Sequence, residues 1–216
     1  MADDNEVPPG QEAYQPASFA FDAESEAEIA LHLAKYPAGR QASAVIPLLY
    51  VVQKQMKRQT DSAWVPRAGM DAIAARLSMA PIRVYEVATF YLMFNLKPVG
   101  KWHLQVCTTT PCWLRGSDEV VQAVREFAGI QGFGETSADG AFTMTEVECL
   151  GACVNAPILQ VNDDFYEDMD AARTRQLLEA LRRGTPPKPG SMAGRQGSAP
   201  EGGPGVLTTL AFAPGA

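Results

Sequence analysis

The sequence predicts an α+β protein, in which a helical bundle precedes an α/β unit with a mostly β sheet and extended polar tails lie at both ends. Three observations predict it. Apolar residues recur at helical spacing through residues 19–97, whereas from Lys101 onward short alternating strands are interleaved with two helices. The ends are different in kind: residues 1–18 are polar with three prolines, and residues 185–216 repeat Gly and Pro, so neither can build a core. With 216 residues and 46% hydrophobic content, the middle of the chain is long enough to bury a core in one or two domains. The predicted divisions are a disordered acidic leader over 1–18, a helical unit over 19–97, an α/β unit over 98–184 and a tail over 185–216.

The elements follow in order. ESEAEIALHLAKYP starts behind a cap at Asp22 or Ser25, places Ile29 and Leu33 on one face and ends at Pro37. SAVIPLLYVVQKQMK has helical spacing with Pro47 near its start, where a missing amide costs least. RAGMDAIAARLSM and PIRVYEVATFYLMF supply two more helices. In the second unit, WHLQV is a strand, SDEVVQAVREFAG a helix capped by Ser117 and closed by Gly129, and FTMTEVE and PILQV further strands. NDD is a turn, and DAARTRQLLEALRRG is a closing helix with basic residues and Gly184 at its end.

Charge excludes some functions. Eight acids and no Lys or Arg lie in residues 1–30, and the remaining 17 acids and 18 bases leave the rest of the chain at +1. The folded part offers no strong field for nucleic acid or an acidic membrane. No apolar run approaches the ~20 residues a bilayer crossing needs, and the N-terminus has neither a signal core nor an Arg-rich presequence, so a cytoplasmic-side protein is expected.

All four cysteines fall in the second unit, as Cys107 and Cys112 in VCTTTPCWLRGS and Cys149 and Cys153 in ECLGACVNAP. Each pair follows a predicted strand, and both loops are expected to leave the same end of neighbouring strands, where four thiolates can converge. Disulfides are disfavoured because nothing marks the chain as secreted. A redox dithiol is disfavoured because neither pair is C-x-x-C. Buried cysteines that merely pack do not account for two pairs in Gly/Pro-rich turns after strands. A metal centre is left, and the spacings admit structural zinc as well as an iron–sulfur cluster. The loop chemistry favours iron–sulfur: Thr108, Thr109 and Thr110 offer hydroxyls and amides, and Gly151 with Ala152 lets amides approach bridging sulfides.

VCTTTPCWLRGSDEV followed by EVECLGACVNAPILQVNDDFYEDM resembles the 24 kDa iron–sulfur subunits of respiratory complex I, the NADH:quinone oxidoreductase. SAVIPLLYVVQKQ and VYEVATFYLMFNLKPVGK resemble the helical part of that family, and GRQGSAPEGGPGVLTTL its C-terminal tail, so the resemblance covers about residues 19–210. It implies a thioredoxin-like domain that holds one 2Fe-2S cluster through Cys107, Cys112, Cys149 and Cys153. It also implies a partner subunit carrying FMN and binding NADH, within the peripheral arm of a complex on the cytoplasmic side of a bacterial inner membrane. Trp113 departs from the smaller or more flexible apolar residue expected there. The related subunits of NAD-linked hydrogenases and formate dehydrogenases share the cluster pattern, and the long tail favours complex I over them.

The chain itself shows no dinucleotide site. Gly132 and Gly134 in GFGETS lack a third glycine and a strand-to-helix setting, and are read as a turn. Because a 2Fe-2S centre exchanges single electrons while NADH gives two together, a flavin on the partner has to divide the pair. A reading of another class is a zinc- or cluster-bearing helix-turn-helix regulator over MDAIAARLSMAPIRVYEVATF. Against it, Arg67, Arg76 and Arg83 face Asp71 and Glu86 for a balance of only +1, and the second helix presents Val84, Tyr85, Val87, Phe90 and Tyr91 instead of donors for base edges. Trp64, Phe90, Tyr91 and Phe94 are read instead as apolar surface for the flavoprotein partner. His32 and His103 have no second ligand nearby in sequence and are read as surface or packing residues, and NDDFYEDMD as a hairpin turn leading to a helix cap at Asp168 or Asp170 rather than a calcium loop.

Overall fold

A computed structural model describes residues 15–195, which divide into two compact units between Lys101 and Trp102. The first part of the acidic leader and the segment GSAPEGGPGVLTTL lie outside the described residues. No described helix is long and apolar enough to cross a membrane.

The first unit packs α1 (Ala23–Leu33), α2 (Val45–Thr60), α3 (Arg67–Leu77) and α4 (Pro81–Phe90) around α2. Asp22 caps α1 by accepting the Ser25 amide at 2.8 Å. A short 3₁₀ turn, Gln41–Ala44, runs into α2, so Pro47 stands in its first turn as expected. Leu48, Leu49, Val51 and Val52 are all fully buried, more than one helical stripe can hold, because α2 is covered by α1, α3 and α4 together. Two expectations fail here. The last helix ends at Phe90, and Tyr91 turns extended (φ −96°, ψ 118°), because the following residues are tied down elsewhere: Gln53 binds the Met93 carbonyl at 3.2 Å and the Asn95 amide at 3.0 Å. Trp64 and Phe94 are not surface; they are buried in this unit's own core, whereas Phe90 and Tyr91 are exposed as expected, together with Leu31, Tyr50, Ile82 and Leu92.

Gly69 sets the spacing of α2 and α3. A Cβ built there falls 2.7 Å from Val52 Cγ1. Val52 is buried and β-branched, so it has little room to turn away. Gly69→Ala is expected to lower stability by about 1–3 kcal/mol through overpacking, outweighing a helix-propensity gain of up to about 1 kcal/mol. Denaturant midpoints of Gly69→Ala, Val52→Ala and the double variant check this: the double variant should be markedly less destabilised than the sum of the two.

The second unit holds a six-stranded sheet in the order β2-β3-β1-β4-β5-β6. Its strands are β1 (Trp102–Cys107), β2 (Glu135–Thr136), β3 (Phe142–Val147), β4 (Leu159–Val161), β5 (Asp164–Glu167) and β6 (Gly190–Ser191), with helices α5 (Thr110–Leu114), α6 (Ser117–Ala128) and α7 (Ala171–Arg182). β1 and β3 run parallel, with Trp102 opposite Phe142 and Cys107 opposite Val147, while β4 lies antiparallel on the other side of β1. α6 and α7 pack against each other, and Leu104, Val120, Val124, Phe142, Leu177 and Leu181 share one core. The bundle α1–α4 precedes the sheet in chain order, and α5–α7 are interleaved with its strands, which is the α+β arrangement expected.

Local details differ from the sequence reading. Ser117 is not the cap of α6 but its first buried residue. Gly116 at φ +95° forms the corner with α5, a conformation that suits glycine. GFGETS is more than a turn: Gly134 donates to the Met144 carbonyl at 2.8 Å, and Glu135–Thr136 adds an edge strand to β3. Asp170, not Asp168, caps α7, accepting the Arg173 amide at 2.7 Å. Composition places Gly190–Ser191 in the tail, yet these residues pair with β5 as β6.

Candidate metal centre

Parallel pairing of β1 with β3 brings the two cysteine loops to one end of the sheet. Cys107 is the last residue of β1, Cys112 sits inside α5, Cys149 follows β3, and Cys153 opens a 3₁₀ turn, Cys153–Asn155. Gly151, at φ +84°, lets the chain fold back between the second two. All four thiols are free. Cys107 and Cys112 are buried in a small apolar group of their own with Ala156 and Ile158, bordered by Val147, Leu150, Ala152 and Phe165. Cys149 is exposed and Cys153 half-buried.

The thiols come as two pairs that sense each other. Cys149 and Cys153 have their Sγ atoms 3.2 Å apart, and the Cys112 thiol is hydrogen-bonded to Cys107. Thr109 joins the two loops, with its hydroxyl 3.2 Å from Cys107 Sγ and a further hydrogen bond to Cys149. Burial pushes the Cys112 thiol up to about 12, helped by its bond to Cys107 and opposed by the Ile158 amide. In the exposed pair the Cys153 thiol donates to Cys149, which lowers Cys149 and raises Cys153; the Gly151 amide and Thr109 lower Cys149 further. Cys149 is therefore the first thiolate of its pair.

This donor set fits an iron–sulfur group. Two pairs suit a binuclear centre, in which each iron takes two protein thiolates, better than a single tetrahedral ion that needs all four around one point. Among the described residues, no group of three or more His, Cys, Asp or Glu side chains is gathered for one metal ion. The Gly151 and Ile158 amides and the Thr109 hydroxyl are already directed at sulfur, the kind of hydrogen bonding that holds and tunes a cluster. Beside the loops lies an open groove of about 300 Å³ lined by Thr108, Thr109, Thr110, Trp113 and Glu148. Trp113 points into solvent at 57% exposure, so it borders the groove without filling the space around the thiols.

The family model for thioredoxin-like 2Fe-2S ferredoxins matches residues 29–182. The chain belongs to that family. Relatives of this ferredoxin include a subunit of the NADH-quinone oxidoreductase of Rickettsia typhi, 47% identical over 162 residues that cover 75% of this chain and 92% of the relative. Another is the mitochondrial NADH dehydrogenase [ubiquinone] flavoprotein 2 of Dictyostelium discoideum, 45% identical over 192 residues, 89% of this chain and 74% of that one. Among solved structures, an NAD+-reducing [NiFe]-hydrogenase shares the fold at TM-score 0.55 and 19% identity, over 66% of this chain and 23% of that one.

Membership in this family overturns the helix-turn-helix regulator. The structure agrees: Arg76 is paired with Glu26, and Arg83 with Glu86 at 2.8 Å, so neither guanidinium is held for phosphate. His103, read as a surface or packing residue, is buried in β1 and bonds Thr145 Oγ1 at 2.8 Å. His32 lies beside Glu28 at 3.6 Å on α1. One feature the sequence reading missed is the contact of Arg195 with the second cysteine loop, for which a lone arginine in a Gly-rich segment carries no pattern.

Proposed function

We propose that this ferredoxin is the electron-transfer subunit of an NADH:quinone oxidoreductase, holding one 2Fe-2S cluster on Cys107, Cys112, Cys149 and Cys153. The observation that carries the ligand assignment is the pairing of four free thiols at one end of a parallel strand pair. A 2Fe-2S cluster supplies one-electron exchange when bound. The chain's residues do the rest. Cys107 and Cys112 anchor from the buried side, while Cys149 and Cys153 hold from an exposed turn where a partner can approach. Thr109 keeps the two loops in register, and Gly151 and Ile158 turn amides toward sulfur.

The flavin that exchanges these electrons, as FMN beside an NADH site, belongs to a partner subunit in the complex's peripheral arm on the cytoplasmic side. The names of the relatives support a role inside a multi-subunit oxidoreductase. The helical unit is the dock for that partner, with exposed Ile82, Phe90 and Leu92 as its apolar contacts. An equivalent place in an NAD-reducing hydrogenase is the second reading, favoured by the shared fold. Purifying the complex from its source and identifying the co-purifying subunits separates the two.

Iron, sulfide and zinc analysis with EPR after dithionite tests the cluster. One two-iron signal per chain is expected, and stoichiometric zinc would refute it. Mixed with NADH alone, the cluster-loaded chain should keep its oxidised absorbance, since it supplies neither flavin nor dinucleotide site. Rapid bleaching without a partner would refute that assignment.

A further inference from the structure

Past the closing helix, the chain returns to the cysteine loops. β6 pairs beside β5, and Met192 donates to the Glu167 carbonyl at 3.0 Å, which carries Arg195 to the turn that begins at Cys153. There one guanidinium meets three groups from two segments. Nη2 donates to the Val154 carbonyl at 2.8 Å and to Asn155 Oδ1, Nε donates to Asp168 Oδ2 at 3.2 Å, and the other Asp168 oxygen lies 3.0 Å from Nη2 as an ion pair. Those groups are held in turn. Asn155 is buried and donates to Glu167 at 2.6 Å, its carbonyl accepts the Asp168 amide at 2.7 Å, and Ser191 donates to Asp168 at 2.5 Å. Asp168 itself sits at φ +55°, an uncommon conformation for a residue with a side chain, and its carboxylate is only 10% exposed.

We propose that Arg195 is a positioning residue for the metal centre: it clasps the Cys153–Asn155 turn to the Asp168 corner and so fixes the second cysteine loop. The inference rests on Cys149 and Cys153 being ligands. Of the two pairs, theirs is the less buried, since Cys149 is exposed and Cys153 half-buried whereas Cys107 and Cys112 are both buried. A planar fork of five donors can span the Val154, Asn155 and Asp168 acceptors at once, whereas a lysine ammonium reaches from a single point. The clasp therefore depends on the shape of the guanidinium as well as its charge.

The full chain is prepared as wild type, Arg195→Ala, Arg195→Lys and Arg175→Ala, the last removing an ion pair with Glu126 between α6 and α7. Two measurements are made: the rate at which cluster absorbance is lost to an iron chelator, and hydrogen exchange of residues 149–156 in the metal-free chain. Arg195→Ala is expected to release the cluster about tenfold faster, the scale of losing an outer partner of a metal ligand. Its loop amides should also exchange faster, with Arg195→Lys recovering only part of either change and Arg175→Ala matching wild type. Wild-type behaviour of Arg195→Ala would overturn the proposal, and so would full recovery by lysine, which would make charge alone sufficient. Because exchange is measured without metal, it tests the clasp separately from the ligand assignment, which fails instead if the wild-type chain shows no two-iron signal.

Discussion

Replacing Cys107 or Cys112 with serine is expected to abolish the two-iron EPR signal and to cut bound iron and sulfide to background. Both thiols are buried among Ala156 and Ile158, so a serine there meets no water to complete a damaged site. A hydroxyl is a hard donor that keeps its proton at neutral pH, and it substitutes poorly for a thiolate on iron. Cys149→Ser and Cys153→Ser should behave more mildly. Their loop is open to solvent, and a fraction of chains should retain a cluster with a shifted spectrum. Iron and sulfide per chain with EPR after dithionite check all four. Full iron with an unchanged spectrum throughout would remove these cysteines from the site.

Phe142→Ala is expected to cost about 3–5 kcal/mol, the range for truncating a fully buried aromatic. Phe142 is wholly buried, stands opposite Trp102 on β1, and packs edge-on to Phe127 with the rings 6.0 Å apart. Against a typical total of about 5–15 kcal/mol, that loss is large. It bears on the metal centre because β3, which begins at Phe142, delivers Cys149 to its place. Denaturant unfolding monitored by near-UV circular dichroism gives the stability, and chelator-driven cluster loss gives the consequence for the site. Phe133→Ala, at a half-buried ring under Arg125, should cost much less.

The sequence carried the cysteine pairs and the strand before each, because alternating apolar residues and Gly/Pro turns are local signals. It also carried α2, α6 and α7, whose apolar stripes are long. What stayed hidden depends on contacts distant in the chain. Trp64 and Phe94 are interchangeable with surface aromatics until α2 is seen to supply Val52 and its neighbours as a core. α5 is five residues around Cys112, too short for a periodic pattern, and β2 and β6 have two residues each. Ser117 has the composition of a cap, but a left-handed Gly116 before it shifts the helix start by one residue. Arg195 acts through three acceptors contributed by two segments at least 27 residues earlier, which no local pattern encodes.

The register of β1 also orders events during translation. The first unit closes at Lys101, six residues before the first cysteine, so the ribosome has made the whole helical bundle before any of the four thiols exists. β1 then emerges as an orphan: its partners Phe142 and Val161 lie 40 and 57 residues beyond Trp102 and Leu104. Synthesis at about 5–20 residues per second leaves it unpaired for seconds. Through that interval Cys107 and Cys112 are made but not yet enclosed, and the pocket that buries them forms only when β3 and β4 close on either side of β1. The four-cysteine site is thus completed only late, after β3 and β4 have been made.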